Sequence, residues 1–183
     1  MNRHWVSAAF AFYLGACGWL PPGAWAQSRP ASRDLDVNPI GKVMAVTGIA
    51  HIEHSAAVIV QASLPTSDNA PAKVGDLVYR NDIVRTDPDG ILNIVFADST
   101  TFNISGNAKM TIDDFVYDPN GHSNSAFMSL TTGTYTFIAG KIAHTGDMKV
   151  DTPVGTMGIR GTTPHIEIAP DGTTKFSTFV EKK

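Results

Sequence analysis

The sequence predicts an all-β fold of short strands, and three observations support this prediction. Apolar residues, many of them β-branched or aromatic, alternate with polar residues, as in strands that are buried on one face. Turns that contain proline, then Asp or Asn, then glycine separate these segments. No window of a dozen residues has a convincing 3.6-residue period. The alternating positions are Val43, Ala45, Ile49, Ile52, Leu92, Ile94, Phe96, Phe102, Ile104, Met110 and Ile112, and the turns are 87–90, 118–121 and 169–172.

Residues 1–26 are interpreted as a signal peptide. Arg3 precedes a short apolar run at 6–16, and Ala24-Trp25-Ala26 before Gln27 fits the small residues that signal peptidase prefers. At about 1.5 Å per residue, this run is too short to span the ~30 Å core of a bilayer. An alternative is a lipoprotein anchored at Cys17, because residues 14–17 (LGAC) resemble a lipobox. Both interpretations take the chain out of the cytoplasm, to the periplasm or beyond.

The rest of the chain is expected to be a tether followed by one domain. Residues 27–40 are polar and interrupted by prolines, which predicts a flexible linker, and residues 41–183 form the β-domain. Cys17 is the only cysteine, so the domain has neither a disulfide nor a cysteine metal ligand. The formal net charge is −3, whereas nucleic acid and anionic lipid both require a clustered positive surface. We therefore expect no nucleic-acid partner and no membrane insertion of the mature domain.

The stretch 151–168 carries the motif that most resembles a binding site. Its glycines at 155, 158 and 161 do not have the spacing of the dinucleotide fingerprint. The residues after Gly161 are Thr162-Thr163-Pro164, not the Lys-Ser/Thr that opens a helix in a P-loop. Without a helix there is no row of free amides for a phosphate. The glycines are expected instead to relieve crowding where strands bend or approach closely.

The sequence gives no positive evidence for a metal, a cofactor or catalysis. His51 and His54 are three apart, so on a strand they point to opposite faces. The Asp-containing turns lack the spaced oxygens and terminal glutamate of a calcium loop. There is no Gly-x-Ser-x-Gly elbow, and the mature chain has no cysteine nucleophile. We therefore expect a protein that is not an enzyme and uses no cofactor.

Short motifs follow one another in a characteristic order along the domain. They are 41–48, 74–77, 81–86, 96–100, 130–133, 151–153 and 158–162, the last of which reads GIRGT. This set resembles the FecR domain family, which is named after a periplasmic regulator of iron-dicitrate uptake, over about residues 41–168. The resemblance implies an extracytoplasmic single domain of short strands, either a β-solenoid or a twisted, sandwich-like β-roll.

The resemblance also marks a family signature with a structural role. Its members are Gly75, Asp76, Asp82, Thr86, Asp98, Gly158, Arg160, Gly161 and Thr162. Two positions depart from the family pattern. Ser99 stands where glycine is usual, and Pro164 stands where a large apolar residue is common. Proline cannot donate to a ladder, so the last strand is expected to begin at His165. Because an export signal stands in place of a sigma-factor-binding domain and a membrane helix, sigma-factor regulation is not expected.

Arg160 is expected to be a structural residue. A guanidinium has five fixed donors that can bind carboxylate or carbonyl oxygens at a bend. Asp82 and Asp98, each in a signature segment, are the candidate partners. An exposed charge and a ligand-binding arginine are the alternatives.

The function predicted from these observations is a sensing, scaffolding or binding module of the bacterial cell envelope. Its expected partner is another envelope protein. The first alternative is a structural or adhesive component that assembles through strand edges. A more remote one is a carbohydrate-binding or carbohydrate-active β-helix protein, which the absence of tryptophan after residue 25 disfavours.

The export prediction can be tested on the protein recovered from the producing cell. Cleavage of a soluble signal peptide leaves Gln27 at the N-terminus, which intact-mass and N-terminal peptide mass spectrometry would detect. A lipidated Cys17 at the N-terminus would contradict soluble export and support the lipoprotein alternative.

Overall fold

Strands dominate the part of the chain that the computed structural model describes, which comprises residues 38–55, 58–59, 70–161 and 163–179. The predicted signal peptide, Cys17, the linker as far as residue 37, and Thr162 lie outside these residues. In chain order the elements are β1 (Gly41–Thr47), β2 (Ala50–Glu53), β3 (Leu77–Val78), β4 (Ile83–Thr86), β5 (Ile91–Phe96), β6 (Thr101–Val116), β7 (Ser125–Ile138), α1 (Ile142–Thr145), β8 (Asp147–Thr152), β9 (Gly155–Ile159), β10 (Thr163–Ile168) and β11 (Thr174–Phe179).

All of these strands belong to one sheet, whose main path runs β11-β10-β7-β6-β5-β1-β3. The long hairpin of β6 and β7 is its centre. The first half of β6 pairs with β5 and the second half with β4. The first half of β7 pairs with β8 and the second half with β10. The all-β prediction is confirmed. Among the described strands only the β7–β8 pairing is parallel, so this is one open, mainly antiparallel sheet. The strand pairing does not show the solenoid alternative.

A bulge divides β6 into these two halves. The register with β7 shifts between Ser105 and Lys109, and the intervening Gly106 and Asn107 have φ of 65° and 55°. On β7, Gly133 has φ 109°, and a Cβ atom there would lie 2.3 Å from the Cα of Ala108. A glycine is therefore required where the two strands approach each other. A bulge of this kind bends a strand and increases its twist.

Two buried hydroxyl groups hold the bulge. The Thr86 hydroxyl accepts the Ala108 amide at 3.0 Å, which is where the bulge rejoins the regular ladder. The Tyr135 hydroxyl accepts the Lys109 amide at 3.1 Å. It lies 2.5 Å from the Thr132 carbonyl oxygen and 2.8 Å from that of Lys109, and it donates its one hydrogen to one of these two. Burial raises the pKa of Tyr135, so the hydroxyl stays protonated and remains a donor. Thr86, a predicted signature residue, thus has a structural contact.

The core confirms most of the predicted alternation. Aromatic side chains from β5, β6 and β7 stack at its centre, with the rings of Phe102 and Phe137 4.4 Å apart. The predicted positions Leu92, Ile94, Phe96, Phe102, Ile104, Met110 and Ile112 are all buried. Ala45 is exposed because the register of β1 shifts between Val43 and Ala45. After this shift, Ala45 no longer faces the core as the alternation predicted. Ile49 lies between β1 and β2 and is exposed.

The turns and the last strands were only partly predicted. Each of the three predicted turns closes with a glycine amide donating to the carbonyl three residues earlier, at 2.9 Å for Gly90, 3.0 Å for Gly121 and 2.9 Å for Gly172. However, β10 begins at Thr163 and not at His165. Pro164 is tolerated because the pairing of β10 with β7 starts only at His165. Neither α1 nor β11 was predicted.

Candidate functional site

Asp98 is a buried signature carboxylate that ties a turn to α1. One of its oxygens accepts the Thr100 amide at 2.9 Å. The other accepts the Thr100 hydroxyl at 2.7 Å and the Ile142 amide at 3.1 Å. The carboxylate therefore satisfies donors from the β5–β6 turn and from the start of α1. Ser99 in this turn has φ 71°, a conformation that suits the glycine usual at this position.

Asp82, the second buried signature carboxylate, pairs with a histidine that was not predicted to be its partner. Its Oδ2 atom accepts the Tyr79 amide at 2.8 Å and lies 2.9 Å from Nδ1 of His54. The His54 ring meets the Tyr79 ring edge-on, with centroids 5.6 Å apart. Asp82 Oδ1 is buried and has no partner within hydrogen-bond geometry, although the Ser55 backbone is close enough to help lower the pKa of the carboxyl group. The pair fixes the position of His54, with its Nδ1 turned toward Asp82.

Burial raises the pKa of Asp82 above its ordinary value of 3.8, while the hydrogen bonds from His54 and from the Tyr79 amide oppose this effect. Desolvation disfavours the charged carboxylate more than these contacts favour it. The physical consequence is that ionised Asp82 depends on His54, because an unpaired buried charge is strongly destabilising.

Gly75 and Asp76 form a turn next to β3. Gly75 has φ 100°, in the region that favours glycine. The Asp76 carboxylate accepts the Lys73 amide at 2.7 Å. The Asp76 carbonyl accepts the amide of Val43 at 2.9 Å, which joins the turn to β1. Both residues thus shape a turn.

The expected pairing of Arg160 with Asp82 or Asp98 is wrong. Arg160 is exposed, and none of the ion pairs found in the described part of the chain includes it. The two carboxylates are instead satisfied by donors close to them. Because the side chain of Arg160 is in water, the exposed-charge alternative describes its position.

The glycines beside Arg160 differ from one another. Gly161 has φ 66°, and a Cβ there would lie 2.4 Å from the His144 ring, so glycine suits this position. A Cβ at Gly158 would have no atom within 4 Å. The expectation that crowding requires Gly158 is therefore wrong. Gly155 has equally open surroundings, although its φ is 148°.

A cleft of about 390 Å³ lies beside the His54–Asp82 pair. Its lining comes from the end of β2 and from the segment that leads into and follows β3. The lining residues are Ile52, His54, Ala70, Pro71, Ala72, Lys73, Gly75, Asp76, Leu77 and Tyr79. We call this the β2–β3 cleft.

A second candidate surface is the strand β11, which ends the main path of the sheet and, among the described strands, pairs only with β10. Five of its six residues are exposed. Two of them are large aromatic residues, Phe176 with 45% and Phe179 with 60% of its surface accessible. Exposed apolar edges are uncommon because an unpaired strand is a template for another chain.

Within the described residues, no group of three or more His, Cys, Asp or Glu side chains is arranged to hold a metal ion. In the same part of the chain no helix is long and apolar enough to cross a membrane.

Sequence reasoning did not identify the β2–β3 cleft or the β11 edge. His54 and Asp82 are 28 positions apart, and no motif relates them. The edge had a usable signal, because the run 174–179 (TKFSTF) has strong strand propensity and directly follows the predicted turn at 169–172.

Comparison with protein families gives one match. The model described as FecR protein matches residues 82–180, more than half of the 183-residue chain. The match begins just before β4 and ends just after β11, so β1 to β3 precede it. No curated protein and no solved structure gives a significant match.

The contacts of Asp98 and Arg160 predict a large loss of stability for one alanine variant and almost none for the other. Asp98→Ala leaves buried donors without an acceptor and should lower the free energy of unfolding by about 2 kcal/mol or more. Arg160→Ala, at an exposed and unpaired position, should change it by less than ~0.5 kcal/mol. Urea unfolding followed by circular dichroism measures both. Equal loss of stability in the two variants would contradict the roles assigned here.

Proposed function

The chain belongs to the FecR protein family, and on this premise we propose that it is an exported, non-enzymatic module of the bacterial cell envelope that binds another envelope protein for sensing or scaffolding. The family is a regulatory and sensing one and is not known for catalysis. Its members are typically found in the periplasm or envelope, which agrees with the export signal read from residues 1–26. The observation that carries the binding role is the open edge at β11.

The hydrogen-bond pattern of β10 and β11 defines which backbone groups are free. Residues opposite each other in an antiparallel pair alternate between hydrogen-bonded and non-hydrogen-bonded pairs. Pro164, opposite Thr178, has no amide hydrogen, so this is a non-hydrogen-bonded pair. The alternation then directs the N–H and C=O groups of Thr174, Phe176 and Thr178 away from β10. These groups form a row of donors and acceptors that an added strand can use.

The side chains of β11 favour a protein strand as the occupant of this edge. Phe176 is opposite Ile166, a fully buried residue, so it extends the core face past the edge of the sheet. Phe179 is on the other face and contacts the His165 ring, with centroids 6.1 Å apart. The one charged residue on the strand, Lys175, lies 3.8 Å from Glu167 on β10. An added strand would shield both phenylalanines from water and complete the backbone ladder, which is the mode called β-augmentation.

Self-assembly is the second candidate function, and the same edge favours it. In a two-fold antiparallel pairing centred on Ser177, Lys175 of one copy would face Phe179 of the other. No like charges then oppose each other, and the ammonium is placed near an aromatic ring. This arrangement corresponds to the structural or adhesive component that assembles through strand edges. Such a six-residue contact falls short of the ~1,200 Å² total that stable interfaces usually bury, so we favour a different partner.

Two edge variants test the proposal. Thr178→Pro removes an outward amide that the domain itself does not use, and proline is tolerated on an edge strand. Phe176→Ser removes the apolar extension of the core face. Both should retain the wild-type melting temperature within a few degrees, because they remove no internal ladder bond. Both should also fail to capture the envelope protein that tagged wild-type domain retains from a periplasmic fraction, while Arg160→Ala retains it.

Sedimentation analysis of the purified domain distinguishes the two candidates. A monomer whose capture of another protein depends on the edge supports the binding module. A dimer that Thr178→Pro converts to monomer supports self-assembly. Capture that both edge variants retain would contradict a role for β11.

A further inference from the structure

We propose that the β2–β3 cleft binds a small organic acid, with the carboxylate held by Lys73 and Tyr79 and the apolar part of the molecule against Ile52, Pro71 and Leu77. Nothing in the family assignment concerns this cleft, and β1 to β3 precede the matched residues. The cleft is also separate from the β11 edge, since β3 and β11 are at opposite ends of the main path of the sheet. The inference therefore does not depend on the proposed function.

The first observation is an excess of hydrogen-bond donors. Tyr79 has only 5% of its surface accessible, and its hydroxyl makes no hydrogen bond with the rest of the described chain. Among the described side chains, the buried nitrogen and oxygen atoms without a hydrogen-bond partner are His51 Nδ1 and Asp82 Oδ1. The Tyr79 hydroxyl is not one of them, so this atom is in contact with solvent. Lys73 lines the same cleft and is in none of the ion pairs found among the described residues. Both groups can donate to an anionic oxygen that enters the cleft.

His54 adds a third polar group in a fixed orientation. Its Nδ1 is 2.9 Å from Asp82 Oδ2, so this ring nitrogen is already engaged by the Asp82 carboxyl group. Nε2 is then the ring nitrogen left for a polar group of a ligand in the cleft. The contact with the Tyr79 ring holds the imidazole from the side. A site whose groups are already oriented loses little freedom when it binds.

The remaining lining determines the rest of the ligand. Ile52, Pro71 and Leu77 present apolar surface, and Leu77 is exposed in the free domain. The volume of about 390 Å³ is in the range of small-molecule sites, which combine apolar walls with a few oriented polar groups. A carboxylate attached to a compact apolar group fits both features.

One residue of the cleft opposes an anion. Asp76 carries a negative charge that offsets that of Lys73, but its carboxylate already accepts the Lys73 amide at 2.7 Å. Binding therefore depends on the hydrogen-bond donors of Lys73 and Tyr79 and not on net charge. A ligand without the carboxylate would leave those donors unpaired, so it should bind more weakly.

Three probes of similar size and different charge test the site. Benzoate, benzyl alcohol and benzylamine are titrated into ¹⁵N-labelled domain, and the amide shifts of Gly75, Asp76 and Leu77 are followed. Benzoate should bind most tightly and benzylamine least. Lys73→Met and Tyr79→Phe should each weaken benzoate binding about fivefold, as expected for one lost hydrogen bond of ~1 kcal/mol.

Lys149→Met is the matched control, because Lys149 is an exposed lysine on β8 outside the cleft. This variant should bind benzoate like the wild-type domain. Tyr79→Phe keeps the aromatic ring, so its spectrum outside the cleft should be unchanged. The proposal would be overturned if benzoate did not shift these amides, if benzylamine bound equally well, or if both cleft variants retained wild-type affinity.

Discussion

The bulge in β6 is the constraint on which the rest of the structure depends. The two halves of this strand pair with different neighbours, β5 and β4, and the change of partner occurs where Gly106 and Asn107 have positive φ. Gly133 provides the space and the hydroxyls of Thr86 and Tyr135 provide the hydrogen bonds that a regular ladder would otherwise supply. Buried backbone groups must be paired, so removing these contacts would affect both halves of the sheet. The single core of the domain requires that both halves stay in register.

Five of the signature residues that the structure describes are of two kinds, whereas Asp76 shapes a turn by its own hydrogen bonds and Gly158 and Arg160 have no structural contact of either kind. Asp82, Thr86 and Asp98 are buried and satisfy backbone amides or hydroxyls at turns and at the bulge. Gly75 and Gly161 have backbone conformations that favour glycine. These residues stabilise the turns and the bulge on which the fold depends. The features that can distinguish this chain are the cleft beside His54 and the edge at β11. The cleft includes the signature residues Gly75 and Asp76, whereas its Lys73 and Tyr79 and the whole β11 edge lie outside the signature.

Much of the fold could be predicted from the sequence because its signals are local. Alternation identified the buried residues of β5 and β6, and turn chemistry identified three turns correctly. The errors arose where distant segments meet. No local pattern could show that a bulge exposes Ala45, that His54 comes to Asp82, or that Arg160 has no partner. Arg160 and Asp98 are both adjacent to a residue with positive φ. Only Asp98 lies next to backbone amides that need an acceptor, and it accepts those of Thr100 and Ile142. The difference between a buried ion pair and an exposed charge is decided by tertiary structure.

The central claim is that the β11 edge is covered by a strand of another envelope protein. The most direct measurement is site-specific photo-crosslinking in the producing cells, with a benzophenone amino acid placed at Phe176 on the edge and, as a control, at Asn120 in the turn between β6 and β7. We predict a discrete heterologous adduct from position 176 and none from position 120. The absence of an adduct at 176, or the same adducts from both positions, would contradict the claim.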